Sequence, residues 1–231
     1  MHGKGGLPTK HVSDMATALE GQCYLVANIE MPWSKNREYD VDVESAYKEV
    51  ESALNGLKSK GAQKLFIAGH SQGGLFALSA GSRVICDGII AIAPGGNVGA
   101  QFYKEKVAES VNEARKLIEQ EKGNEKTTLF DFESSKGKYA IITTPSAYLD
   151  WFDPDGAMNQ EKASKIINPN IPILFIAPTN DYPGLLKVKQ AMFDALPKHP
   201  KTKLYEPSTN HLGAPSASVD EIMQWTMSVA N

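Results

Sequence analysis

The run Gly69-His70-Ser71-Gln72-Gly73 is the part of this sequence best suited to chemistry. A serine hydroxyl becomes a useful nucleophile only when a base takes its proton and the backbone presents it to a substrate. At ordinary glycine and serine usage, a bare Gly-x-Ser-x-Gly occurs by chance in roughly one chain in ten. Context makes this one specific: it follows the apolar run Lys64 to Gly69 and opens the helical pattern Gly73 to Ser82. That is the placement of a nucleophile elbow, a turn so tight that Cβ atoms at Gly69 and Gly73 would clash. The turn lifts the Ser71 hydroxyl into a cleft and turns the Gln72 amide, at the helix start, toward a substrate oxygen.

A base and an orienting acid must come from elsewhere in the chain. Of the five histidines, His2 belongs to a glycine-rich loop and His70 lies inside the elbow, while His11 and His199 sit in polar stretches. His211, in Ser208-Thr209-Asn210-His211-Leu212-Gly213, follows a late strand and precedes the last helix. Among the carboxylates, Asp181 ends the loop after the strand Ile173 to Ala177. Its rivals Asp150, Asp153 and Asp155 lie in an aromatic segment, where Pro154 and Gly156 explain Asp153 and Asp155 as turn residues.

The elements that must position these residues alternate along the chain. Strands are expected at Gln22–Asn28, Lys64–Gly69, Gly88–Ala93, Ile171–Ala177 and Thr202–Glu206. Helices are expected at 41–60, 73–82, 184–196 and 215–229, the first with Val43, Ala46, Tyr47, Val50, Leu54 and Leu57 at helical spacing. Continuous apolar strands such as Gly88-Ile89-Ile90-Ala91-Ile92-Ala93 have both faces covered, the mark of a parallel sheet between helical layers. The fold class is therefore α/β, with a mostly parallel central sheet and helices on both faces. Alternation breaks between 97 and 157, where a charged amphipathic helix (100–122) precedes a polar, loop-like stretch (123–138), a short strand (139–144) and an aromatic segment. The region reads as a cap-like helical insertion on a single domain spanning 1–231. Simple coverage of one sheet face by the helix accounts for it equally well. Trp33, Tyr148, Trp151 and Phe152 are candidates for lining a pocket, although core packing explains such residues more often.

Composition narrows the function classes. A net charge of −3 without blocks of like charge gives no footprint for nucleic acid or a polybasic membrane contact. The apolar runs are strand-length, too short to span a bilayer. Two cysteines cannot build a disulfide framework or a metal cluster, and no cofactor is implied.

Taken together, the sequence resembles the α/β-hydrolase superfamily, particularly esterase-like members with Gly-His-Ser-Gln-Gly elbows. The likeness runs through element order over nearly the whole chain and rests on the His2-Gly3 loop, the Ser71 elbow, and Asp181 and His211 late in the chain. The resemblance implies a triad in the order Ser71, Asp181, His211, with His211 as base and Asp181 fixing its tautomer. It also implies an oxyanion hole made from the Gln72 amide and the Lys4 or Gly3 amide of His2-Gly3-Lys4-Gly5-Gly6. The family places a strand before that loop, so the fold is expected to lack its N-terminal strands. The first residues resemble neither a signal peptide nor a transit peptide, and the compartment stays open, periplasmic or secreted included. In the family's sheet order about 14 Å separates the strands carrying Cys23 and Cys86, so both are expected as free, buried thiols. The implied activity is hydrolysis of a small ester or related acyl substrate through an acyl-enzyme. The alternative is a catalytically silent relative that binds a small ligand or a protein partner.

Overall fold

The computed structural model describes residues 1–230. In chain order the elements are α1 (Ser13–Glu20), α2 (Val43–Ser59), β1 (Phe66–His70), α3 (Gln72–Ala80), β2 (Gly88–Ile92), α4 (Gln101–Glu119), β3 (Thr127–Glu133), β4 (Gly137–Thr143), α5 (Pro145–Phe152), α6 (Gln160–Lys165), β5 (Ile173–Ile176), α7 (Pro183–Asp194), β6 (Lys203–Tyr205), α8 (Ala214–Ala217) and α9 (Val219–Ala230). Strands β1, β2, β5 and β6 form one parallel sheet in the order β1-β2-β5-β6. Parallel neighbours need a crossover between them, and the helical stretches of the sequence supply it.

The residues of β2 and β5 explain why they hold the centre. Every residue in both is buried. Ile89, Ala91, Ile173 and Phe175 share one core with α2 and α3, while Ile90, Ile92, Leu174 and Ile176 face Met15, Leu19, Ile222 and Trp225 of α1 and α9. Alternate side chains therefore feed two cores, one on each face of the sheet. Asp42 starts α2 by accepting from the Ser45 N–H at 2.7 Å, and its buried stripe of Val43, Ala46, Tyr47, Val50 and Leu54 packs inward.

Two expected elements differ. Gln22–Asn28 is not a strand. Its side chains alternate, with Tyr24 and Val26 half-buried and Leu25 exposed, but no backbone ladder joins it to the sheet. An apolar cleft of about 440 Å³, lined by Val26, Leu54, Phe66 and Ala68 among others, lies between this segment and β1. Periodicity marks which face is buried and says nothing about where the hydrogen bonds go. Met1 instead pairs with β1, its nitrogen donating to Ala68 O at 2.8 Å and its carbonyl accepting from the His70 N–H at 3.0 Å.

The second difference lies at 123–138, where much of the expected loop is strand β3, paired antiparallel with β4 from Thr127–Thr143 to Glu133–Gly137. Leu129 and Asp131 point inward, and a carboxylate at an inward position hides the alternation that marks a strand. The hairpin packs on α4, which packs on α5. Trp151 of α5 donates to Val41 O at 2.7 Å and stands edge-on to Trp33 at 5.5 Å. Trp33, Tyr148, Trp151 and Phe152 are all core residues, fully buried. No helix among the described residues is long and apolar enough to cross a membrane. Both cysteines are free, but neither is fully buried as expected: Cys86 is half-buried, and Cys23 is exposed because it lies in the turn after α1.

Candidate active site

Ser71 stands between β1 and α3 with φ 57° and ψ −119°, a conformation that costs energy for a residue bearing a Cβ. Its backbone is pinned: the Ser71 N–H donates to Ile92 O at 2.8 Å, and Ser71 O accepts from Gly74 and Gly95 at 2.9 and 3.0 Å. The flanking glycines are steric necessities. A Cβ at Gly69 would lie 2.0 Å from Gly73 O, and one at Gly73 would lie 2.6 Å from His2 O.

Asp181 and His211 come together because the loops after β5 and β6 keep running side by side. The N–H groups of Thr179 and Asn180 donate to Pro207 O and Thr209 O, both at 3.0 Å, and Asn180 and Asn210 form a parallel bridge. Both side chains are buried, with His211 Nδ1 2.7 Å from Asp181 Oδ1. The same oxygen accepts from the Tyr182 N–H at 2.6 Å, and the Tyr182 ring lies 4.6 Å from the imidazole. A carboxylate facing Nδ1 selects the tautomer with its proton there, which leaves the Nε2 lone pair free. Among the described residues no hydrogen bond links His211 to the Ser71 hydroxyl. The rival carboxylates are engaged elsewhere: Asp150 accepts from the Val43 N–H, and Asp153 pairs with Arg115.

His70, inside the elbow, also serves the His211 loop. Its Nε2–H donates to His211 O at 2.9 Å, and the two rings are 4.8 Å apart. Burial, reinforced by the neighbouring His211, drives the His70 pKa down to about 3, so the ring is neutral.

The glycine-rich loop rests against the elbow. A Cβ at Gly3 would lie 3.0 Å from Ser71 Cβ. His2 is buried and locked as a neutral ring, donating from Nδ1 to Gly3 O at 2.8 Å and accepting the Met31 N–H on Nε2 at 3.0 Å. Trp33 holds the loop from both sides, its indole N–H donating to His2 O at 2.9 Å and its carbonyl accepting from Gly5 at 2.9 Å. The amides of Gly3, Lys4 and Gln72 donate to no acceptor among the described residues, so they are available to an incoming oxyanion.

Several residues around the site escaped the sequence reading. The Lys4 side chain runs between α4 and β3 to meet Tyr103 and Asp131. Gln72 meets Tyr39, which itself donates to Asp131. An acid between two phenylalanines, in Phe130-Asp131-Phe132, is the one local sign that Asp131 is special.

No known protein family and no curated protein sequence matches the chain. Solved structures do. The monoacylglycerol lipase of Paleococcus ferrophilus aligns over 99% of this chain and 93% of that one, with 18% identity and a TM-score of 0.67. DcsB, solved in complex with a substrate analogue, aligns over 98% and 88%, with 16% identity and a TM-score of 0.66. Est1E from Butyrivibrio proteoclasticus aligns over 99% and 86%, with 15% identity and a TM-score of 0.58. A parallel sheet between two helical layers, matched along its whole length by lipases and esterases, establishes that this chain has the α/β-hydrolase fold.

Proposed function

We propose that the protein is a serine hydrolase that cleaves carboxylic esters or related acyl bonds through an acyl-enzyme on Ser71. The observation that carries this reading is the buried 2.7 Å contact between His211 Nδ1 and Asp181, on loops that converge at the end of the sheet where the elbow stands. His211 Nε2 takes the proton of the Ser71 hydroxyl as Oγ bonds to the carbonyl carbon, and Asp181 stabilises the imidazolium. The carbonyl oxygen becomes an oxyanion held by the amides of Gln72 and of Lys4 or Gly3. Collapse of the tetrahedral intermediate breaks the bond to the leaving alkoxide, which receives the proton from His211. Water, deprotonated by the same imidazole, then releases the acid and restores Ser71. In this mechanism the hydrogen bond from Ser71 to His211 forms on substrate binding, since serine–base contacts are often open in ligand-free enzymes.

Fluorophosphonate labelling tests the proposal, together with a chain-length series of p-nitrophenyl esters. The expected result is one adduct on Ser71 and ester turnover that Ser71→Ala abolishes. A folded protein that takes no adduct would instead be a silent relative that binds a ligand or a partner.

A further inference from the structure

We infer that Asp131, in the cap hairpin, is a positioning residue that anchors both halves of the oxyanion hole; this rests on the hydrolase reading of Ser71. Asp131 is wholly buried, and the Lys4 side chain that reaches it is 9% exposed. Oδ1 accepts from Lys4 Nζ at 2.6 Å and from the Tyr103 hydroxyl at 2.6 Å. Oδ2 accepts from the hydroxyls of Tyr139 at 2.7 Å and Tyr39 at 3.0 Å. With the Phe132 N–H also donating to Oδ1 at 2.5 Å, five donors surround one carboxylate, which leaves it nothing to offer a substrate. Lys4 is equally committed: its ammonium also meets the Tyr103 hydroxyl at 2.6 Å and Phe132 O at 3.2 Å.

The two branches of this network end on Gln72 and on the glycine-rich loop, the two places whose amides are proposed to hold the oxyanion. One runs through Lys4 to the glycine-rich loop. The other runs through Tyr39, whose proton goes to Asp131, so that its oxygen accepts from the Gln72 side-chain amide at 3.2 Å. Burial and the nearby carboxylate hold Tyr39 and Tyr103 well above the usual phenol pKa, so both remain donors. A saturated, buried polar network has one low-energy arrangement, and rigidity of that kind fixes an oxyanion donor. Asp131 therefore ties the placement of the hole to the seating of the cap.

The test compares wild type with Asp131→Asn, Lys4→Met and the double variant, using Lys138→Gln as a surface control on the same hairpin. Ester kinetics and amide exchange are read on each. Asp131→Asn is expected to lower kcat by about 10- to 100-fold with KM within about threefold, as sub-ångström misplacement of donors does. Exchange should quicken over residues 2–6 and at the start of α3, and the double variant should lose less than the product of the single losses. Should Asp131→Asn fail to fold, Lys4→Met reports the same coupling. Wild-type kcat and unchanged exchange at 2–6 in the folded variants would overturn the inference, as would a loss matched by Lys138→Gln. A wild type inert to all esters would instead sink the hydrolase reading, and the exchange result would still decide whether Asp131 anchors the loop.

Discussion

In the proposed mechanism His211 is a base only in the tautomer that Asp181 selects, so the two residues act there as one device. Asp181→Asn keeps the shape of the acid but can offer its NH₂ to Nδ1, which favours the opposite tautomer and spends the lone pair on Nε2. The expected outcome is a fall in kcat of about 10⁴-fold at neutral pH with KM nearly unchanged, measured on a p-nitrophenyl ester. His70 makes a different prediction, about stability. Its folded pKa of about 3 lies below the ordinary histidine value, so on acidification the unfolded chain takes up a proton that the folded chain refuses. The stability associated with a neutral His70 is complete above pH of about 6.5 and is lost as pH falls toward its folded value, at up to about 1.4 kcal/mol per pH unit. His2, whose pKa burial also lowers, adds in the same direction. His70→Gln keeps a donor near His211 O but cannot titrate. Urea unfolding between pH 7 and 4 should give it a shallower loss than wild type, and equal slopes would show that His70 is charged in the folded protein.

At the scale of elements, the turn at Ser71 forms only because strand, helix and glycine-rich loop approach one another at backbone distance. Gly73→Ala puts a methyl group 2.6 Å from His2 O and 2.9 Å from Met1 O, so α3 and the loop must separate. That overpacking is expected to cost about 1–3 kcal/mol in urea unfolding and to lower kcat even in the folded fraction, because the donors move with the loop. A variant with normal kcat would mean that the loop is not an oxyanion element. The same approach explains what the sequence revealed. Ser71, Asp181 and His211 stood out because each sits at a strand end marked by local pattern. The central strands were legible because both their faces are buried. Gln22–Asn28 and β3 were not, since one has a buried face without a pairing partner and the other turns Asp131 inward. The Lys4–Asp131–Tyr39–Gln72 chain joins residues from four distant parts of the sequence, and no local pattern encodes such a meeting.

Across the whole molecule, stability is expected to be uneven. β2 and β5 are buried on both faces and flanked by neighbouring strands, so their amides open only when both cores are lost. The β3–β4 hairpin is a separate two-stranded sheet with Phe130 and Ile142 partly exposed. It meets the body through α4, the Tyr148 hydroxyl of α5, the Asp131 network, and Glu38 and Tyr39, which accept from the Ile142 N–H at 3.1 Å and the Thr143 hydroxyl at 2.7 Å. A two-stranded sheet has little stability of its own, so the hairpin should open without unfolding the central sheet. Native-state hydrogen exchange in low urea checks this directly. Amides of Ile89–Ile92 and Leu174–Ile176 should share the steep denaturant dependence of global unfolding, while those of Thr128–Phe132 should exchange sooner and with a shallow dependence. Equal protection in hairpin and sheet would mean that the two form one cooperative unit.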